Sequence, residues 1–290
     1  MNIVIYDQAE GLRRKLDNNR TPNQAKTISV ISGKGGVGKS NFVLNFSLQL
    51  INTQKKVLVI DLDMGMGNID ILMGVHAEKS IINLFEDHLS VHEIIETGPN
   101  GLSYIAAGSG LNHLFNMRET DRSFFYDQYR ELVQMYDYII FDMGAGVTED
   151  GLFFILASDE CIVITTPEPT AITDAYGMIK HVVNMQRSMP IYVIMNRSLG
   201  YQEGQKSLRR FNDVVSKFLH VQSRSMGIIP DDKTVTQAVI KQVPYVLFNH
   251  RSKAAKAIKE ITNNYLKDSK EIHGQSSITF IEKLKRLIEG

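Results

Sequence analysis

Eight consecutive residues carry the clearest chemical signal: Gly33, Lys34, Gly35, Gly36, Val37, Gly38, Lys39 and Ser40. The spacing is G-x-x-x-x-G-K-S, between the β-branched run TISVIS and the apolar-periodic run SNFVLNFSLQLI. Glycines at these positions let successive backbone N–H groups turn inward, and a ring of inward amides holds phosphate oxygens. The first turn of the following helix adds unpaired donors and a favourable dipole, and Asn41 extends that turn. Lys39 is placed to reach the β- and γ-phosphates, and the Ser40 hydroxyl to ligate Mg²⁺. The ligands expected from the loop are therefore a nucleoside triphosphate and Mg²⁺. The bland alternative is a glycine-rich strand-to-helix turn that binds nothing.

Two further segments place carboxylates where such a ligand would sit. The run KVLVIDLD ends on Asp61 and Asp63, two residues apart and so on one face of a strand. The run YDYIIFDMG delivers Asp142 after four apolar residues, with Gly144 and Gly146 beyond it. Open α/β sheets bind ligands at the carboxyl ends of their strands, which is where all three carboxylates fall. Asp142 has the spacing of a Mg²⁺-holding carboxylate, and the glycines suit a loop that moves with the γ-phosphate. Asp61 and Asp63 also admit a plain reading as caps of the next segment. Phosphoryl transfer needs positioning and charge neutralisation more than covalent chemistry. Lys34, Lys39, Ser40, Asp63 and Asp142 supply both. No strong internal base and no cis arginine finger is apparent, so turnover is expected to be slow.

The elements that must hold these residues follow from hydrophobic patterning. TISVIS, KVLVIDLD, YDYIIFDMG, ECIVITTP, PIYVIMNR and RSMGIIPDD are nearly continuous apolar runs, the mark of strands buried on both faces. Helical patterns such as DAYGMIKHVVNMQRS lie between them. The expected fold is α/β: a P-loop NTPase with a mostly parallel sheet and helices on both faces. Three regions are expected: an arm and linker over 1–26, a nucleotide-binding body over 27–267, and a linker with a final amphipathic helix over 268–290.

Composition narrows the options. Equal numbers of basic and acidic residues give a formal net charge of zero, so no global field pulls the chain toward nucleic acid. The only basic candidates for such contact are RRF and HRSKAAKAIKE. One cysteine, Cys161, excludes an intrachain disulfide framework and a four-cysteine metal site, and its apolar run suggests a buried, inert thiol. A reducing, cytoplasmic setting fits. The N-terminus lacks the pattern of a signal peptide, and no apolar run is long enough to span a bilayer.

Lys34, directly after the first glycine, carries a resemblance. GKGGVGKS is similar to the deviant Walker A motif of the MinD/ParA group of ATPases. The resemblance spans residues 26–267. It implies that two ATP molecules are sandwiched in a face-to-face homodimer, with Lys34 reaching the partner's phosphates. It further implies that Asp63 positions the attacking water, that Asp61 supports the magnesium site and that Asp142 is the Walker B carboxylate. Gly144 departs from the proline or alanine usual there. Asn196 and Arg197, after the strand in VIMNR, are implied to meet the adenine. Pro230 and Asp231 in GIIPDD are implied to line the base and ribose pocket. A turn and a helix cap are the plain readings of those two segments. Asp174 is a candidate partner for Lys34.

Three details bring the chain closer to the flagellar-number regulators called FlhG, FleN or YlxH: Ser40–Asn41 after the lysine, the segment DLDMGMGNIDILMG, and DQAEGLR at Asp7 to Arg13. In that family the arm stimulates the GTPase of an FlhF-type protein. Asp7, Gln8, Ala9, Leu12 and Arg13 would make that contact, from a short helix over Asp7 to Leu16. The alternative is an unstructured tail. Flagellar switch components are a further partner class. At the other end, Phe280, Ile281, Leu284, Leu287 and Ile288 fall within an arc of about 120° on a helix from Ile278 to Ile288, with basic residues beside them. That pattern suits a membrane surface or a partner, and equally a helix packed on the body. The implied function is an ATPase that dimerises on ATP, binds the inner face of the cell membrane and regulates flagellar number or placement. The alternatives are a division-site or DNA-partition ATPase, and a non-hydrolysing nucleotide-dependent binding module.

Overall fold

The computed structural model describes residues 24–63, 68–108, 119–146, 149–271 and 279–289. An eight-stranded sheet runs through its centre in the order β3-β4-β2-β5-β1-β6-β7-β8. The strands are β1 (Lys26–Ser32), β2 (Val57–Leu62), β3 (Glu96–Thr97), β4 (Ser103–Ile105), β5 (Tyr138–Ala145), β6 (Glu160–Thr165), β7 (Ile191–Ser198) and β8 (Arg224–Pro230). All pairings are parallel except the short edge pair of β3 and β4. Every residue of β2 and of β6 is buried, as continuous apolar runs require of strands covered on both sides.

Alternate residues feed two cores. Leu58, Ile60, Phe141 and Val163 face one layer, and Val57, Val59, Ile140 and Ile162 the other. The second layer is built by α1 (Lys39–Asn52), α2 (Ile69–Met73), α9 (Lys233–Ile240), α10 (Tyr245–Phe248) and α11 (Lys253–Glu271). The first holds α3 (Ile81–Glu86), α4 (Val91–Ile94), α5 (Glu119–Met135), α6 (Glu149–Ala157), α7 (Pro169–Met185) and α8 (Tyr201–Leu219). Sequence patterning had no assignment for β3, β4, α3 or α4. They are two to six residues long, too short for a periodicity to register.

A last helix, α12 (Phe280–Glu289), also lies in the first layer. It starts two residues later than its apolar pattern suggests, because Thr279 and Glu282 form a reciprocal cap: Thr279 N–H donates to Glu282 Oε2 at 2.9 Å, and Glu282 N–H to Thr279 Oγ1 at 3.3 Å. Phe280, Ile281 and Leu284 are buried, and Leu287 and Ile288 pack partly buried against the same core. The Phe280 ring stacks on Tyr129 of α5 at 4.6 Å and on Phe141 of β5 at 5.2 Å. The basic flank is engaged as well. Lys283 Nζ donates to Asp159 Oδ1 at 2.9 Å, and Lys285 lies 4.6 Å over the Tyr126 ring. Of the two readings of this amphipathic helix, the conformation described is the one packed on the body. The arm with Asp7, Gln8, Ala9, Leu12 and Arg13 lies outside the described residues.

Candidate functional site

The phosphate loop joins β1 to α1 at the carboxyl end of the sheet. Its backbone needs glycine at two points in particular. Gly38 sits at φ 91°, and a Cβ there would come within 2.4 Å of the Asn196 amide. A Cβ on Gly33 would strike the backbone of Asp174 at 2.2 Å. α1 therefore starts directly at Lys39, capped by Gly38 without a side-chain acceptor, which leaves its first N–H groups for an anion.

Lys39 is buried and pairs with Asp142, Nζ to Oδ1 at 2.5 Å. Burial raises the Asp142 carboxyl above its ordinary range, and the Lys39 ammonium offsets part of that rise. Lys39 Nζ also donates to the Ser40 hydroxyl at 3.4 Å, which places that hydroxyl beside the pair. Asp142 Oδ2 is buried and has no hydrogen-bond partner among the described residues. A buried hard oxygen without a donor, next to a serine hydroxyl, suits a magnesium ion or its water. The residues present thus fit the metal that a nucleotide would bring.

Asp61 and Asp142 are register partners on neighbouring strands. Burial, then the Asp142 charge, push the Asp61 carboxyl up to about 7. Asp61 Oδ1 accepts the N–H of Asp63 at 3.0 Å, and Oδ2 that of Ile69 at 3.4 Å. The carboxylate thereby ties the end of β2 to the start of α2. Asp63 lies half-buried against the end of β5, since a Cβ on Gly144 would be 3.5 Å from its Oδ1.

Lys34 extends to the β6–α7 junction, where its Nζ meets Glu168 Oε2 and Thr170 Oγ1, each at 3.0 Å. Asp174, the partner expected from sequence, does not take this role: it touches the loop through its backbone at Gly33. The long, partly exposed Lys34 side chain reaches the first carboxylate after the strand rather than one inside the helix. The Lys34 ammonium, in turn, holds the Glu168 carboxyl below the usual carboxylate range. TTPEPT did carry the signal, a lone carboxylate directly after an apolar strand.

Asn196 and Arg197 close the other side of the loop. Asn196 Nδ2 donates to the Val37 carbonyl at 2.7 Å, and Arg197 Nη1 to the Gly36 carbonyl at 3.4 Å. Arg197 holds a left-handed φ of 54°. Both side chains support the phosphate loop in this conformation. Pro230 ends β8, and the exposed Asp231 donates its N–H to the Ser198 carbonyl at 2.8 Å, which joins the ends of β7 and β8 beside them. Gly33 to Ser40, Asp61, Asp63 and Asp142 therefore form one cluster, with Asn196 and Arg197 along its flank.

Comparison with known proteins agrees with this geometry. Residues 25–196 match the family described as an AAA domain. The chain is 30% identical over 237 residues to the antiactivator FleN of Pseudomonas aeruginosa, covering 81% of this chain and 84% of that one. It is 36% identical over 203 residues to the flagellum site-determining protein YlxH of Helicobacter pylori, covering 67% of each. The septum site-determining protein MinD of Pyrococcus horikoshii, solved with Mg-ADP, shares the fold at a TM-score of 0.67 and 21% identity over 84% of this chain and 97% of that one. The chain belongs to the MinD/ParA-type P-loop ATPases, close to the flagellar regulators FleN and YlxH.

Proposed function

We propose that this protein is an ATP-hydrolysing switch that dimerises on ATP, associates with the inner face of the cell membrane through α12, and regulates flagellar number or placement. The observation that carries the coupling is the seat of α12. Its Phe280 stacks on Phe141, the residue before Asp142, and the helix packs on α6, the next helix after the loop of Gly144 and Gly146. A change at the phosphates that moves β5 or α6 thereby alters the groove that stores the tail.

Each residue has a physical task. The backbone amides of Gly35 to Ser40 grip the phosphates, and Lys39 leaves Asp142 for the β- and γ-oxygens. Mg²⁺, when bound, neutralises phosphate charge. Ser40 and Asp142 hold its position. Asp61 acts through backbone donors, fixing Asp63 where it orients the attacking water. Lys34 exchanges Glu168 for the phosphates across a dimer interface, and Asn196, Arg197, Pro230 and Asp231 flank the base.

Burial of Phe280, Ile281 and Leu284 is worth about 1.5–3 kcal/mol each, so the stored tail does not open unaided. ATP-driven dimerisation supplies the difference, and two released tails bind a bilayer far better than one. The arm at residues 1–26 acts on an FlhF-type GTPase in this reading, which rests on the DQAEGLR motif and the likeness to FleN.

The test is sedimentation with liposomes under ADP and under ATP, together with phosphate release, for wild type and Asp63→Ala. The expected result is ATP-dependent sedimentation, with loss of hydrolysis but retained dimerisation in Asp63→Ala. Equal sedimentation under both nucleotides overturns the coupling, and unchanged phosphate release overturns the role of Asp63.

A further inference from the structure

On the α1 side of the sheet, a run of sequence stands apart in charge. From Lys233 to Lys259 the chain carries six lysines and arginines and not one aspartate or glutamate, in a protein whose totals balance at 32 each. None of the six makes an ion pair among the described residues. Asp232, the carboxylate directly before the run, is occupied by two helix starts: it accepts the N–H of Thr234 at 2.9 Å and that of Ala254 at 3.1 Å.

The same run exposes large apolar side chains. Ile240 is 75% exposed, Phe248 40% and Leu247 37%, all on α9 and α10. Ile71 of α2 is 49% exposed. α2 ends against this unit, since a Cβ on Gly74 would lie 2.7 Å from the Gln242 carbonyl oxygen. The platform is firm beneath. Val246 N–H donates to the buried Asn45 of α1 at 3.0 Å, and Ala238 and Tyr245 are core residues. Lys241, His250, Arg251 and Lys253, next to these residues in the same run, are exposed as well.

Isolated apolar exposure is ordinary, but several large apolar residues on two successive short helices, in a run whose charged side chains are all basic, describe a binding surface. We propose that α9 and α10, with the α2 edge, form a docking site for an acidic amphipathic helix of a partner protein. Its apolar face would cover Ile240, Leu247 and Phe248, and its carboxylates would meet Lys241, Arg251 and Lys253. Charge complementarity picks this occupant. A nucleic acid would use the cations and gain nothing from the apolar centre. A bilayer could use both, but the helix suited to a bilayer, α12, is on the opposite face of the sheet.

Fluorescence anisotropy with the full chain tests this, using three labelled amphipathic peptides of about 18 residues. They share one leucine face and differ in a glutamate, glutamine or lysine polar face. The glutamate peptide binds about tenfold more tightly than the other two near physiological salt, and Ile240→Glu or Lys241→Glu each weakens it about tenfold. Val214→Glu, at another exposed apolar position, on α8, leaves it unchanged. Circular dichroism melting verifies that the variants fold. Equal affinity for all three peptides overturns the proposal, as does equal loss in Val214→Glu. So does an Ile240→Glu variant that loses binding to phosphatidylglycerol vesicles or duplex DNA but keeps the peptide.

Discussion

The ring of Phe280 stacks on that of Phe141 at 5.2 Å, and Phe141 immediately precedes Asp142, the carboxylate that holds Lys39. One peptide bond thus separates the wall of the tail groove from the phosphate site. Between Phe280 and the P-loop lysine only two side chains intervene.

That relationship makes the groove testable from the body side. Tyr129→Ala removes the ring stacked on Phe280 at 4.6 Å and leaves α12 itself intact. The variant is expected to lose about 3–5 kcal/mol of stability, as large-to-small core changes do. It should also sediment with liposomes under ADP and show faster tryptic cleavage at Lys283 and Lys285. Tail protection equal to wild type would break the link.

The two loop lysines are expected to part company on stability. Lys39→Ala strands Asp142, a buried carboxylate at 1% side-chain exposure, without its cation. Removal of one partner of a buried pair costs about 3–5 kcal/mol. Lys34→Ala breaks an exposed contact with Glu168 that water already screens, and should leave stability nearly unchanged. Both should abolish ATP-dependent dimerisation. Urea unfolding with size-exclusion under ATP separates the two effects.

Asp61 imposes a pH dependence on the nucleotide-free protein. Its carboxyl is raised from an ordinary 3.8 to about 7, so the folded state takes up a proton that the unfolded chain has already lost. The stabilising contribution is complete below about pH 4 and disappears as pH rises through about 7, at about 1.4 kcal/mol per unit. Stability should fall more steeply between pH 4 and 7 in wild type than in Asp61→Asn. The slope of unfolding free energy against pH is the readout, because the asparagine also loses one backbone acceptor.

Glycine positions differ sharply in tolerance. Gly38→Ala puts a Cβ 2.4 Å from Asn196 Nδ2 at a φ of 91°, and should abolish nucleotide binding in calorimetry. Gly144→Ala meets Asp63 Oδ1 at 3.5 Å, an ordinary contact at an ordinary φ. It should keep activity within about twofold and gain about 0.4–1 kcal/mol from a less flexible unfolded chain.

Much of this site is written in local sequence. GKGGVGKS, DLD and YIIFD each state their chemistry within a few residues, because a phosphate cradle needs glycines in series and a parallel strand must present its ligands at its end. Buried strands announce themselves as apolar runs, so the sheet and its mostly parallel pairing followed. The short pieces β3, β4, α3 and α4 did not, since two to six residues hold no period.

Partners across long separations belonged to the fold alone. That Lys34 meets Glu168 rather than Asp174, and that Asn196 and Arg197 brace the loop carbonyls, depends on which strands become neighbours and on where the loops turn. The amphipathic face of α12 was evident from residue order, whereas its seat on Tyr129 and Phe141 was not. An apolar stripe records only that a face must leave water. Which surface receives it is decided by the shape of a groove built from residues more than a hundred positions away.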